Sequence, residues 1–185
     1  MDSIYRSTTG RELIRRWCLG QLSAWPVPHE RKTVTAKSAP THVVLAGSGA
    51  TTVVFVPGTN FNAAVSLPPA TDLVAAGHQV LLVDVPGQPA LSSGGRGLSS
   101  GRLSWYGAWL SEVIEKFSSE PVAVMGHSFG AAIALSSDCR LTLQRAARRS
   151  HPARAIDTPP GRHRGARCRP PSAAARPGSA HHTRR

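Results

Sequence analysis

Three short, nearly continuous apolar runs, Thr51–Val56, Gln79–Val85 and Pro121–Met125, constrain this chain more than any other feature. Each is too short for a buried helix, and none shows the polar alternation of a strand with one wet face. Each also ends at a turn, at Pro57-Gly58, Pro86-Gly87 and Gly126. A strand that is apolar on both sides needs cover on both faces, which a parallel sheet between helices supplies. Helical patterns fall between the runs as that arrangement requires. Residues 70–76 read as a helix ending at Gly77 as its C′ residue. Ser104 is placed to cap a helix over 105–117, with Trp105, Trp109, Val113 and Phe117 on one core-facing stripe, and Ala131–Ser136 reads as a helix start. Strands alternating with helices through Gly and Pro turns predict a parallel α/β sheet. Right-handed crossovers would put helices on both of its faces.

Ahead of these runs, Thr9 and Glu12 form a capping-box pattern, and Leu13, Ile14, Trp17, Cys18 and Leu22 recur at helical spacing until Pro26 and Pro28 stop them. Thr33–Lys37 and His42–Ala46 read as two short strands separated by Pro40. The Gly47-Ser48-Gly49 sequence that follows is a turn, since it lacks the further Gly and the Lys of a phosphate-binding loop. Gln88–Arg102 is Ser- and Gly-rich and reads as a long loop.

The pattern stops near Ser137. Residues 1–138 hold ten Lys or Arg against nine Asp or Glu, whereas residues 139–185 hold twelve Arg, no Lys and the single acid Asp157. The net charge of +12 therefore belongs to the last quarter and says nothing about the partners of the rest. That quarter has no aromatic residue and almost no aliphatic periodicity, so it is expected to be a disordered Arg/Pro/Ala-rich tail. The expected organisation is an N-terminal helix in 1–23, a domain portion in 24–137 and the tail in 138–185. Cys18, Cys139 and Cys168 make neither a C-x-x-C pair nor a disulfide framework. Arg11, Glu12, Arg15 and Arg16 break any leader-like apolar stretch, and no segment is long and apolar enough to span a membrane. The expectation is a cytoplasmic protein without a metal or other cofactor.

The chemistry is carried by Val122-Ala-Val-Met-Gly126-His-Ser128-Phe-Gly130, a G-x-S-x-G between a buried strand and a helix start. A sharp strand-to-helix bend lifts the Ser128 hydroxyl off the end of the sheet in a strained backbone conformation. Gly126 and Gly130 let strand and helix approach, and the helix N-terminus turns free N–H groups toward a developing oxyanion. Gly97-Leu-Ser99-Ser-Gly101 matches the same pattern but is expected to sit in a loop, with no strand before it and no helix directly after.

With this context, residues 24–137 resemble the α/β-hydrolase family. Two early strands precede Val53-Val-Phe-Val-Pro-Gly58-Thr-Asn, which is similar to the family's strand and His-Gly-X turn, with Pro57 standing where His is common. Leu81-Leu-Val-Asp-Val-Pro-Gly87 resembles the next strand and its Asp-x-Pro-Gly ending. The resemblance implies a mostly parallel sheet flanked by helices, and an oxyanion hole made of the backbone N–H groups of Thr59 and Phe129. A serine at the elbow resembles the esterases, lipases and amidases, whereas dehalogenase and epoxide-hydrolase relatives carry Asp there. The implied reaction is acyl transfer from a small-molecule ester or related substrate to Ser128, then hydrolysis. In that family the triad acid and histidine follow the serine on later loops, on the order of a hundred residues on. Only 57 residues follow Ser128 here. The expectation is therefore an incomplete, inactive α/β-hydrolase fold, with its elbow strand, central in a complete sheet, left as an exposed edge.

His127 is expected to pack or line a rim, Asp138 to cap a helix or lie at the surface, and Asp84 to support a turn. His151, His163, His181 and His182 have no strand to hold them as a base. Twelve Arg with no Lys, beside Ala, Pro and Gly, is what GC-rich coding DNA yields when translated out of frame, so a frame error near Ser137 is expected. The competing readings are a protein that binds polyanions, nucleic acid included, non-specifically through the tail, and a catalytic variant with an unusual dyad.

Overall fold

The computed structural model describes residues 4–94 and 101–137, all within one compact unit. The expectations for Asp138, for the Arg-rich segment with its four histidines, and for all of the Gly97–Gly101 motif except Gly101 lie outside the described residues. The elements run α1 (Thr8–Ala24), β1 (His29–Ala36), β2 (Ala39–Ala46), β3 (Thr52–Val56), α2 (Leu67–Ala75), β4 (Gln79–Val83), α3 (Arg102–Phe117), β5 (Ala123–Gly126) and α4 (Phe129–Ser136), with a 3-10 turn at Ala63–Val65. They form a five-stranded sheet in the order β1-β2-β4-β3-β5. The β1–β2 hairpin is antiparallel and joins β4 antiparallel, while β4, β3 and β5 run parallel.

The double-sided burial read from the apolar runs is the organising fact of this sheet. Neighbouring residues go to opposite faces, as the strand period of two demands. Val44, Phe55, Val80 and Leu82 join a core with Cys18 and Leu22 of α1 and Leu67 and Ala70 of α2. Val43, Val54, Val56, Leu81 and Val83 join a second core with Tyr106, Trp109, Leu110 and Val113 of α3 and Ile133 of α4. The chain steps from β3 to β4 in one direction across the sheet and from β4 past β3 to β5 in the other. Crossovers of one hand then place α2 and α3 on opposite faces. Each fully buried Leu or Val contributes about 2 kcal/mol. The buried rings keep their polar ends satisfied, Trp109 Nε1 donating to Thr41 Oγ1 at 2.9 Å and Tyr106 Oη to the Pro86 carbonyl at 2.9 Å.

Several boundaries differ from the expectation for identifiable reasons. Ser7, not Thr9, caps α1, its hydroxyl accepting from Gly10 N–H at 3.0 Å. Pro40 lies inside β2, opposite Thr35, rather than separating two strands. The pairing of β2 with β4 begins only at Val43, so Pro40 has a single strand beside it, where proline is tolerated. Helix α2 starts at Leu67 because Pro68 and Pro69 occupy its first turn, where no N–H is needed. It ends as expected at Gly77, in a left-handed conformation, with His78 N–H reaching Leu73 O and Gly77 N–H reaching Val74 O. Helix α3 starts at Arg102 with Gly101 as its cap, so a helix does follow the second G-x-S-x-G directly and Ser104 is not the cap. Its buried stripe centres on Tyr106, Trp109, Leu110 and Val113, while Trp105 and Phe117 are half-buried at the margins.

Strand β5 is not buried like its two parallel neighbours. Among the described residues it pairs with β3 alone, and Val124 and Met125 are exposed at the sheet edge. No helix among the described residues is long and apolar enough to cross a membrane.

Candidate active site

Register decides where the site lies. Val56 at the end of β3 stands opposite Gly126 at the end of β5, so the two segments leaving these parallel strands emerge side by side. His127 N–H donates to Val56 O at 3.0 Å and ties them together. Such a crevice beyond the carboxyl ends of neighbouring parallel strands is where open α/β sheets present their ligands.

Ser128 forms the bend between β5 and α4, at φ 52° and ψ −116°. Non-glycine residues avoid that region because the Cβ atom crowds the backbone, at a cost of about 1–3 kcal/mol. The surroundings hold it there: Gly130 N–H donates to His127 O at 2.8 Å and Ala131 N–H to Ser128 O at 2.9 Å. The residue is exposed, and no described group hydrogen-bonds its hydroxyl. Ser128→Gly is therefore expected to raise stability by about 1 kcal/mol, read as a higher urea midpoint, because glycine has no Cβ to crowd the backbone in this conformation.

The two glycines flanking the bend are steric necessities. A Cβ on Gly126 would lie 2.6 Å from Ala131 N, and one on Gly130 would run into Val56 O and lie 2.6 Å from Pro57 O. All of these are backbone atoms. Gly58 is equally confined, since a Cβ there would meet His127 Nδ1 at 2.8 Å and Ser128 Cβ at 3.3 Å. The segment carrying Thr59 thus passes against the bend. Within it, Phe61 N–H donates to Gly58 O and Asn60 N–H to Gln88 Oε1, whereas the N–H groups of Thr59 and Phe129 have no acceptor among the described residues. These are the two groups read from the sequence as oxyanion donors.

A profile of the Alpha/beta hydrolase family matches residues 53–185. The chain belongs to that family. Among solved structures, this α/β-hydrolase chain is similar to naproxen esterase from Bacillus subtilis (TM-score 0.60, 23% identity, covering 78% of this chain and 48% of that one). It is also similar to the carboxylesterase CesB of the same organism (0.59, 20%, 75% and 46%) and to an epoxide hydrolase from Vigna radiata (0.53, 20%, 57% and 32%). At such identities the likeness establishes the fold. The α/β-hydrolase chain spans less than half the length of each of these structures. No curated protein sequence matches it.

Asp84 supports more of this α/β-hydrolase site than the single turn expected from the sequence. Its carboxylate is buried and accepts from Ala63 N–H at 2.7 Å and Leu91 N–H at 3.2 Å, and it pairs with His42 Nδ1 at 2.9 Å. Its backbone carbonyl accepts from Ser92 Oγ at 2.6 Å. One side chain thereby joins β4, the hairpin strand β2, the segment that follows Thr59 and the loop after Pro86. His42 was not singled out in the sequence. The signal available was a lone acid at the end of an apolar run, which a folded chain must pair. Nearby, burial pushes the Cys18 thiol up to about 11, with the Asp84 charge adding to the shift, so the thiol stays protonated and inert near neutral pH.

Among the described residues of the α/β-hydrolase chain, no histidine side chain hydrogen-bonds Ser128. The His127 ring lies edge-on to Phe61, with centroids 5.4 Å apart, which is the packing role expected of it. His29 Nδ1 is engaged with Val27 O. No group of three metal-ligating side chains occurs among the described residues. Beside the bend lies a mainly apolar cavity of about 420 Å³, lined by Pro57, Gly58, Phe61, Met125 and His127 among others.

Proposed function

We propose that Ser128 is the nucleophile of an esterase-type acyl-transfer reaction in the intact form of this hydrolase, and that the chain as it stands does not turn over. The observation carrying the first part is the backbone of Ser128, held in a disfavoured conformation at the C-terminal end of a parallel strand with its hydroxyl exposed and, among the described residues, unpartnered. Strain of this kind persists where surrounding structure over-determines it, and a site is the usual reason. In the proposed reaction Ser128 Oγ attacks an ester carbonyl and the new C–O bond forms as the carbonyl π pair moves to oxygen. The Thr59 and Phe129 N–H groups receive that oxyanion. The alcohol departs with a proton, and water then cleaves the acyl-enzyme. The apolar cavity beside the bend favours a hydrophobic acyl group.

The second part follows from what the first step requires. The serine proton needs a base within hydrogen-bond reach, and the base needs an acid to orient it. Among the described residues, the imidazole with an acid partner is His42, and its partner Asp84 is committed to holding the fold. We attribute the Arg-rich composition after Ser137 to translation out of frame, with the triad acid and histidine encoded in another frame of the same DNA. The family match runs on through that segment, which speaks against the attribution, and the DNA comparison decides between out-of-frame and in-frame coding of 138–185. The test joins residues 1–137 to the product of the alternative frame. The joined chain is expected to hydrolyse p-nitrophenyl esters in a manner lost in Ser128→Ala, while the present chain stays at the Ser128→Ala background. If no downstream frame encodes strand–helix units with an acid and a late histidine, the proposal fails.

The twelve arginines of 139–185 support one alternative, non-specific polyanion binding in a cytoplasmic setting. Salt-sensitive retention on heparin that vanishes when those arginines are replaced by glutamine would favour it.

A further inference from the structure

The cavity beside the bend does not end there. Val65 lines it and also lines a second cavity of about 450 Å³, whose other walls include Leu13, Ile14 and Trp17 of α1. The segment from Asn60 to Asn62 separates the two. An apolar track thus runs from the outer face of α1 over Val65 and Phe61 to Met125. Leu13 is 63% exposed, Trp17 43% and Phe61 46%. Leu13 and Trp17 are four residues apart, and Arg16 stands three beyond Leu13, so the three share one helix face. Trp17 is not needed inside: α1 is held to the sheet by Cys18 and Leu22 on its other side.

Charge is distributed to match. Residues 4–24 hold Arg6, Arg11, Arg15 and Arg16 against Glu12, while the other described residues hold five Lys or Arg against six Asp or Glu. The positive excess of the described part therefore lies on α1 and its approach; Arg16 stands beside the exposed Leu13 and Trp17, whereas Arg15, on the Cys18 side, donates to Leu91 O at 3.4 Å. A short basic helix with an aromatic and an aliphatic side chain on its outer face suits an interface where apolar rings enter the acyl boundary and arginines meet anionic headgroups. We propose that the outer face of α1 docks this protein on an anionic lipid–water interface, with Leu13 and Trp17 inserted and the apolar track leading from the lipid toward Ser128. The proposal does not rest on the chemistry assigned to Ser128.

The test is flotation of the full chain with phosphatidylcholine vesicles, with and without phosphatidylglycerol, and with brominated acyl chains as a quencher of inserted tryptophan. The tail contains no tryptophan, Trp25 and Trp109 are buried, and Trp105 is half-buried, so quenching that disappears in Trp17→Phe reports on α1. The expected result is flotation that requires phosphatidylglycerol, bromine quenching of Trp17, and at least a tenfold weaker partition for Leu13→Ser/Trp17→Ser. Arg11→Gln/Arg16→Gln, which changes exposed groups only, is expected to weaken partition and flatten its salt dependence. Three results would overturn the proposal. One is no binding to anionic vesicles. Another is binding without Trp17 quenching, which assigns attachment to the arginines of 139–185. The third is a Leu13→Ser/Trp17→Ser protein that floats as before but loses self-association, which makes the face an interface between copies.

Discussion

Asp84→Ala is expected to remove about 3–5 kcal/mol of folding stability, a large share of what a domain of this size possesses. The substitution deletes the acceptor for the buried backbone N–H of Ala63 and the half-buried one of Leu91, and strips the buried His42 of its partner. The orphaned Ala63 donor costs about 1–3 kcal/mol because it is buried away from water, and the half-buried Leu91 donor costs less. Asp84→Asn keeps one carbonyl oxygen for one of these donors and should lose about half as much. Urea unfolding followed by tryptophan fluorescence checks both, with buried Trp109 as reporter. The loss should also be non-additive with His42→Ala, since the two side chains form one network. The effect reaches the site because Ala63, anchored by the same carboxylate, closes the segment that carries Thr59. A stability change below about 1 kcal/mol would mean that the network in β2, β4 and the two loops is ornamental.

Gly130→Ala should cost about 3 kcal/mol although it adds a single methyl group. The Cβ would be forced against the carbonyl oxygens of Val56 and Pro57, which belong to the backbone and have no rotamer by which to yield. Relief requires α4 to move away from β3, and the bend at Ser128 to open with it. Gly20→Ala supplies the contrast. A Cβ there meets nothing within 4 Å, and the residue is exposed on α1, so helix propensity alone acts and the substitution should stabilise by about 1 kcal/mol. Opposite signs for the same methyl group, read from urea midpoints, would confirm that packing around the bend and not glycine content sets the outcome.

The parts of the fold that were legible in the sequence are those with a local signature. Thr52–Val56 and Gln79–Val83 announced themselves because both faces of each strand are covered, which removes the polar alternation. Ser128 was legible because a strand, a bend with glycines on both sides and a helix follow one another within about a dozen residues. The Asp84–His42 pair spans 42 residues and joins two strands whose adjacency no local pattern encodes, so the sequence suggested a turn and nothing more. Helix starts were read two to three residues late wherever two cues competed. Pro68 and Pro69 looked like breakers but fill a first turn, and Ser104 looked like a cap one turn inside a helix that Gly101 begins. Pro121–Met125 looked like its two parallel neighbours because apolar composition records what a strand is built to meet. In the described residues its outer side meets nothing, and Val124 and Met125 lie open.

The central claim is that a correctly bent serine stands without the imidazole that would activate it. Fluorophosphonate probes report this directly, since they phosphonylate only serines whose hydroxyl is activated by a base. After exposure of the purified chain to such a probe, intact-protein mass spectrometry should show no adduct on Ser128 above the level seen in Ser128→Ala. A stoichiometric adduct mapped to Ser128 would contradict the account, because some group in this chain would then be removing the proton.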